Sequence, residues 1–545
     1  MTAPLVQIDD LHIAAETDSG RSFGIINGVS ITVAPGEIEA LIGESGSGKT
    51  TIALGLLGHF RTGCHFVSGR MVVNGKDMAR LSEAERAALR GRSVSYVAQS
   101  AAAAFNPSLR IIDQVIEIAL IHHTLDRAAA RARAVELFRD LGLPSPETIG
   151  DRYPHQVSGG QLQRLAAAMA VIGDPMLVIF DEPTTALDVT TQIGVLRAFK
   201  RLMRDKGMTG IYVSHDLAVV AQIADRITVL KNGEVQEQGT TAEILTNAQH
   251  PYTRDLLAAF APRPRARPAA VAPQEQTIVL EGRNILSGYG KGKGFIPAVR
   301  DVSFRLPRGA SLGVIGESGC GKSTLARTLA GLLPASDGQV ILSGAPLPAE
   351  ARARSKEELR RLQIVFQLAD TALNPATQIG DILGRPLTFF HGMRGRKRAD
   401  RVAELLDMVR LPRDFAQRYP TELSGGQKQR VNFARALAAE PEVILCDEIT
   451  SALDTVVAAA VLDLLAELQR ELGLSYLFIS HDISTVRAFC DEVMVMYAGE
   501  AVDRFAPAQM DAPERHPYTR LLVSSLPQLD PGWLDSLPEV LERGV

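Results

Sequence analysis

Short, uninterrupted apolar runs punctuate this chain. They alternate with longer stretches whose apolar positions recur at helical spacing. "EALIG" (39–43), "MLVIF" (176–180) and "GIYVS" (210–214) read as strands buried on both faces, and "SLGVIG" (311–316), "EVILC" (442–446) and "SYLFIS" (475–480) repeat the pattern. Between them, "RAAARARAVELFRDLG" (127–142) and "RKRADRVAELLDMVR" (396–410) predict helices of a mostly helical insert, their charged faces solvated. Strands alternating with helices predict an α/β fold around a largely parallel sheet.

The pattern is written twice. "LIGESGSGKTTIALGLLG" (41–58) returns as "VIGESGCGKSTLARTLAG" (314–331), and "YPHQVSGGQLQR" (153–164) as "YPTELSGGQKQR" (419–430). "LVIFDEPTTALD" (177–188) returns as "VILCDEITSALD" (443–454), and "HPYTR" at 250–254 returns at 516–520. Two tandem copies follow, a first domain over 1–260 and a second over 278–545. The Pro-, Ala- and Arg-rich segment 261–277 between them lacks periodicity and reads as a semi-extended linker.

Composition narrows the classes. Of 545 residues 46% are hydrophobic and 22% charged, with a formal net charge of −4, so no basic excess points to nucleic acid. No apolar stretch approaches the roughly 20 residues of a membrane span, and "MTAPLVQIDDLHI" carries no signal-peptide pattern. The four cysteines, Cys64, Cys320, Cys446 and Cys490, form no CxxC pair or Cys/His cluster, so neither zinc nor a disulfide framework is expected.

"GESGSGKT" (43–50) and "GESGCGKS" (316–323) fit the phosphate-binding pattern GxxxxGK[ST], each after an apolar run and before a helical one. Gly43, Ser45, Gly46, Ser47 and Gly48, with Gly316, Ser318, Gly319, Cys320 and Gly321, would wrap backbone N–H groups around phosphate oxygens. Lys49 and Lys322 would reach the terminal phosphates, with Thr51 and Thr324 behind them, while Thr50 and Ser323 would ligate Mg²⁺. Downstream, each copy ends a strand in two acids. Asp181 and Asp447 would hold the metal, and Glu182 and Glu448 would act as general bases on an attacking water.

At this point the chain resembles the nucleotide-binding subunits of ABC transporters over nearly its whole length. The specific mark is "VSGGQ" (157–161) and "LSGGQ" (423–427), matching the family's signature loop at Ser158, Gly159, Gly160 and Gln161 and at Ser424, Gly425, Gly426 and Gln427. Gln99 and Gln367 match its glutamine loop, which contacts the metal partly through water. Asp188 and Asp454 match the loop after the acid pair, and His215 and His481 match the switch histidine, taken here with the glutamates as catalytic. The resemblance implies two P-loop ATPase domains, each with a RecA-like, mostly parallel sheet core, an antiparallel β subdomain and a helical subdomain bearing the signature. It implies ATP and Mg²⁺ as ligands. It also implies head-to-tail pairing of the halves, each ATP completed by the other copy's signature. Both copies keep every one of these residues, so both are expected to hydrolyse ATP.

Departures are few. Tyr289 sits where the family stacks adenine, but the first copy has Ala14 and Ala15 there, leaving Phe23 of the neighbouring loop as a substitute or a looser hold. Cys320 reads as a small residue at a variable position, with a reactive thiol as the sharper alternative. "HPYTR" and the "FNP" and "LNP" phrases after the glutamines resemble the oligopeptide, dipeptide and nickel importers. That likeness implies two transmembrane permease subunits and an extracytoplasmic binding protein as partners. It places the chain on the cytoplasmic face of a bacterial inner membrane. The cysteine-bearing tail of that subfamily is absent, so no iron–sulfur cluster is expected. The solute stays open among peptides, nickel, opines and glycosides. A soluble tandem ATPase acting on ribosomes is the alternative class, disfavoured by the short, proline-rich linker.

Overall fold

A computed structural model describes residues 3–16, 22–185, 187–260, 277–290, 292–451 and 453–538. Residues 261–276 of the expected linker lie outside them. The chain divides into two compact units, Met1–Phe260 with Pro527–Val545, and Ala261–Leu526.

In the first unit, β1 (Val6–Glu16), β2 (Ser22–Val33), β4 (Cys64–Val73) and β5 (Lys76–Asp77) form an antiparallel sheet in the order β2-β1-β4-β5. The second sheet contains β3 (Ile38–Gly43), β6 (Val94–Val97), β7 (Leu177–Asp181), β8 (Thr209–Ser214), β9 (Arg226–Lys231) and β10 (Glu234–Thr240), in the order β10-β9-β3-β8-β7-β6. All its pairings are parallel except β10 on β9. Every residue of β3, β7 and β8 is buried, as uninterrupted apolar runs require when both faces of a sheet are covered. The Lys49–Gly55 helix lies in the core between the sheets, where Ile52 and Leu56 join Ile8, Val29, Leu41 and Val213.

The second unit repeats this design. Its antiparallel sheet comprises β11 (Ile278–Tyr289), β12 (Ile296–Pro307), β14 (Asp337–Leu342) and β15 (Ala345–Pro346). Its main sheet has β13 (Ser311–Ile315), β16 (Leu362–Val365), β17 (Val443–Asp447), β18 (Ser475–Ile479), β19 (Glu492–Tyr497) and β20 (Glu500–Phe505), in the order β16-β17-β18-β13-β19-β20. The helical inserts form as expected, over Arg127–Asp140 and Gly395–Met408. Among the described residues no helix is long and apolar enough to cross a membrane.

The tail departs from the expected boundary. The second domain was expected to run to residue 545, but the described residues from Pro527 to Pro538 group with the first unit. The short Trp533–Ser536 helix buries Trp533 and Leu534 there, at 6% and 0% exposure. Gln222, itself buried, donates to the carbonyls of Gln528 (2.6 Å) and Asp530 (2.9 Å) and accepts from the Leu534 N–H (3.0 Å). Arg197 donates to the carbonyls of Leu534, Leu537 and Pro538, which a helix end leaves without partners of its own, and Lys200 pairs with Asp535 at 2.8 Å. At the matching places the second copy has Asp463, Ala466 and Ala488, none of which could make these bonds. The face that receives the tail is therefore built once, and a repeat-based boundary misses it.

Leu534→Ala should lower the stability of the first unit by about 2–5 kcal/mol, the cost of emptying a fully buried leucine site. Calorimetry resolving the two units should show the first transition shifted and the second unmoved.

Candidate functional site

The parallel order places the C-terminal ends of β3, β8 and β7 side by side, with β8 in the middle. β3 runs into the P-loop, β7 ends in Asp181-Glu182 and β8 leads to His215. The same three ends meet in the second unit, from β13, β17 and β18.

Gly43 cannot be replaced without a collision, since a Cβ there would lie 2.0 Å from the Leu230 carbonyl oxygen. Gly316 faces the Met496 carbonyl oxygen in the same way, at 2.2 Å. The lysine at the head of each following helix is buried and turns back into the loop. Lys49 Nζ donates to the Gly43 and Glu44 carbonyls (2.7 and 2.8 Å), and Lys322 Nζ to those of Gly316 and Glu317 (2.7 and 2.8 Å). Ser45 and Ser318 are exposed at the loop tips, and the buried Ser47 hydroxyl has no hydrogen-bond partner among the described residues. Thr51 continues the first helix, and Thr324 in the second lies 3.3 Å from the Tyr289 hydroxyl.

The hydroxyl after each lysine reaches the aspartate. Thr50 Oγ1 donates to Asp181 Oδ1 at 3.0 Å and Ser323 Oγ to Asp447 Oδ1 at 2.8 Å. An alcohol and a carboxylate oxygen held together form a hard-oxygen donor set that fits Mg²⁺. The orphaned Ser47 hydroxyl and the glycine cradle fit a phosphate beside it.

The glutamates face the histidines. Glu182 Oε1 lies 3.3 Å from His215 Nδ1, and Glu448 Oε2 lies 3.6 Å from His481 Nδ1. Gln99 Nε2 donates to Glu182 Oε2 (3.1 Å) and Gln367 Nε2 to Glu448 Oε2 (2.8 Å). The glutamine amides thus meet the candidate bases rather than the aspartates with which they were expected to share a metal. Both glutamates adopt positive φ, 49° at Glu182 and 50° at Glu448. Such backbone strain in a side-chain-bearing residue persists only where the surroundings enforce it. Here each amide is pinned to the neighbouring strand, Glu182 N to the Val213 carbonyl and Glu448 N to that of Ile479.

Burial alone would raise the Glu182 carboxyl, but the hydrogen bond and charge of His215, helped by Lys49 and Thr185, leave it below the ordinary value. Burial likewise opposes charge on His215, and Glu182 overcomes it, raising the imidazole. At Glu448 the His481 hydrogen bond leads and the carboxyl is again lowered. Burial raises Asp447, against the Ser323 hydrogen bond. Burial also pushes the Cys320 thiol up, away from the lowered value that a reactive thiol shows.

The signature residues are bound up with their own helices. Ser158 caps the Gly159–Val171 helix in a capping box with Gln161, and Ser424 caps Gly425–Leu437 with Gln427. A Cβ on Gly160 would meet Thr191 at 2.0 Å and one on Gly426 would meet Val457 at 2.4 Å, so close helix packing demands both glycines. Gly159 and Gly425 open the same helices. Asp188 and Asp454 are the N-caps of the Val189–Asp205 and Thr455–Leu472 helices.

The two sites differ at their rims. Tyr289, 48% exposed, stands on β11 opposite Ile296, whereas Phe23, 52% exposed, stands on β2 opposite Ala15. Directly paired residues of antiparallel strands share a face. The first unit therefore presents its ring from the partner strand, not from a loop. Sequence reasoning also missed Tyr96, whose hydroxyl donates to Asp181 Oδ2 at 2.7 Å. Its counterpart is Ile364, and that polar-for-apolar exchange within a buried strand was the available signal.

Residues 26–185 and 299–451 match the family model described as ABC transporter. Residues 236–297 and 510–543 match the one described as oligopeptide/dipeptide transporter, C-terminal region. The chain is 37% identical over 534 residues to the peptidoglycan transport ATP-binding protein YejF of Agrobacterium fabrum, covering 96% of each. It is 36% identical over 562 residues to the glutathione import ATP-binding protein GsiA of Escherichia coli, covering 97% of this chain and 90% of that one. A solved dimer of the ATP-binding cassette MJ0796 bound to ADP and Pi aligns with 43% of this chain and 98% of that one, at 25% identity and a TM-score of 0.39.

The shifts at Glu182 and His215 set a pH window. The stabilisation tied to the raised histidine is complete below its ordinary value of 6.5 and is lost as pH rises through the raised one. That tied to the lowered glutamate is complete above 4.5 and is lost as pH falls through the lowered value. In magnesium- and nucleotide-free buffer, His215→Ala should therefore destabilise most between those values and progressively less at higher pH. Denaturant titrations across pH check this, and a pH-independent difference would show that the pair carries no charge.

Proposed function

Because the chain belongs to the ABC transporter family and carries two of its ATPase domains, we propose that it powers uptake of peptides or a related small solute through separate permease subunits. The observation that carries this reading is the duplicated set of P-loop lysine, Ser/Thr–Asp pair and Glu–His pair, present without loss in both units. The peptide class is supported by the match to the oligopeptide/dipeptide C-terminal region and by relatives named for glutathione import and peptidoglycan transport.

In this reading Lys49 and Lys322 leave the loop carbonyls to meet the terminal phosphates of ATP. Thr50 with Asp181, and Ser323 with Asp447, hold Mg²⁺. Bound Mg²⁺ supplies charge neutralisation to the phosphates. Glu182 and Glu448 are both held below the ordinary carboxyl range, so each is ionised at neutral pH and ready to accept a proton from the attacking water. His215 and His481 position those carboxylates, and Gln99 and Gln367 lie within reach of the same oxygens. The helix N-termini that Ser158 and Ser424 cap suit a second contact to phosphate. The chain then works at the inner face of a bacterial membrane, with a binding protein outside delivering the solute.

Glu182→Gln and Glu448→Gln, made separately, should each lower steady-state ATP turnover by about half or more, because loss of a general base silences one of the two sites. Phosphate release from purified chain measures it, and full activity in either variant would remove that site from the account.

A further inference from the structure

The twice-written "HPYTR" reaches the nucleotide loops. We propose that Tyr252 and Tyr518 are positioning residues of the two P-loops, each fixing the first turn of its loop for a triphosphate. The proposal deepens the ATPase reading above and rests on it.

The first three letters of the motif have traceable places. An acid on the last strand, Glu237 in the first unit and Asp503 in the second, accepts the main-chain N–H of His250 (3.1 Å) or His516 (2.9 Å). The histidine Nδ1 accepts the N–H of the tyrosine two residues on, at 3.3 and 3.2 Å, capping the helix that Pro251 or Pro517 begins. The Nδ1 atoms of His250 and His516 thereby serve as helix caps. The tyrosine then crosses to the P-loop. Tyr252 Oη accepts the Glu44 N–H at 3.2 Å, and Tyr518 Oη accepts the Glu317 N–H at 2.8 Å.

Glu44 and Glu317 directly follow the first glycine of each loop, and the P-loop lysine holds their carbonyls from the other side, at 2.8 Å in both units. One residue is thus gripped at both ends, its N–H by tyrosine and its C=O by lysine. When the lysine turns to phosphate it must weaken its hold on that carbonyl. The tyrosine contact needs no such release, so it keeps the loop in shape while the lysine works. Both rings are buried and locked, Tyr252 beneath the Lys231 ammonium (4.2 Å) and Tyr518 against the Tyr497 ring (4.3 Å). The same contact arises in both units between residues 208 and 201 positions apart. Its persistence in both copies, across intervening segments of different length, argues for retention of the contact rather than for packing chance.

Phenylalanine keeps the ring and deletes only the oxygen. In a chain whose second loop carries Lys322→Ala, Tyr252→Phe should weaken ATP binding by about fivefold, the range of one net hydrogen bond. Adenosine binding and kcat should stay within about twofold of the parent, and the thermal midpoint within about 4 °C, because only the phosphate cradle is loosened. Titration with a fluorescent ATP analogue, competed by ATP or adenosine, reads both affinities. Tyr518→Phe with Lys49→Ala repeats the test at the other site and serves if the first variant folds poorly. Unchanged ATP affinity, or an equal loss for ATP and adenosine, would overturn the proposal. A parent chain that binds no ATP would overturn the ATPase reading beneath it.

Discussion

Everything at the two sites depends on one constraint, the parallel alignment of three strand ends with the histidine strand in the middle. Parallel pairing puts the P-loop, the acid pair and the histidine on one edge of the sheet, at the crevice where open α/β sheets take their ligands. The hydroxyl–carboxylate link from Thr50 to Asp181, and from Ser323 to Asp447, spans that edge and ties the loop to the acid strand. Full burial of the strands makes the arrangement stiff. The positive φ of Glu182 and Glu448 shows that the edge tolerates local strain to aim those carboxylates.

Against this shared frame the asymmetries are informative. Tyr96 adds a hydroxyl to Asp181 where the second copy offers only Ile364. Phe23 and Tyr289 bring a ring to the same face from opposite strands of the hairpin. The tail completes the first unit through Arg197, Lys200 and Gln222, which have no counterparts in the second. The hydroxyl and ring differences are single substitutions on a shared backbone plan, and the tail is an addition to one copy. The chemistry is therefore duplicated while the surroundings of each copy diverge.

The strands and the site motifs were legible because their signals are local. Apolar runs report burial on two faces, and fixed spacings around glycine and lysine report a phosphate loop. The helices over 127–140 and 395–408 were legible from the same kind of periodicity. What escaped depends on contacts between distant positions. Tyr252 touches Glu44 across 208 residues, and Gln222 meets the tail across 306, distances that only the sheet order and the return of the chain bring together. The capping roles of Ser158 and Asp188 were hidden for another reason. Their side chains serve a helix end that looks, in sequence, like part of a ligand loop.

The central claim is that one chain holds two complete nucleotide sites. Equilibrium dialysis of the chain carrying both Glu182→Gln and Glu448→Gln, with Mg²⁺ and labelled ATP, counts them directly. The account predicts two ATP molecules bound per chain. Saturation at one would contradict it.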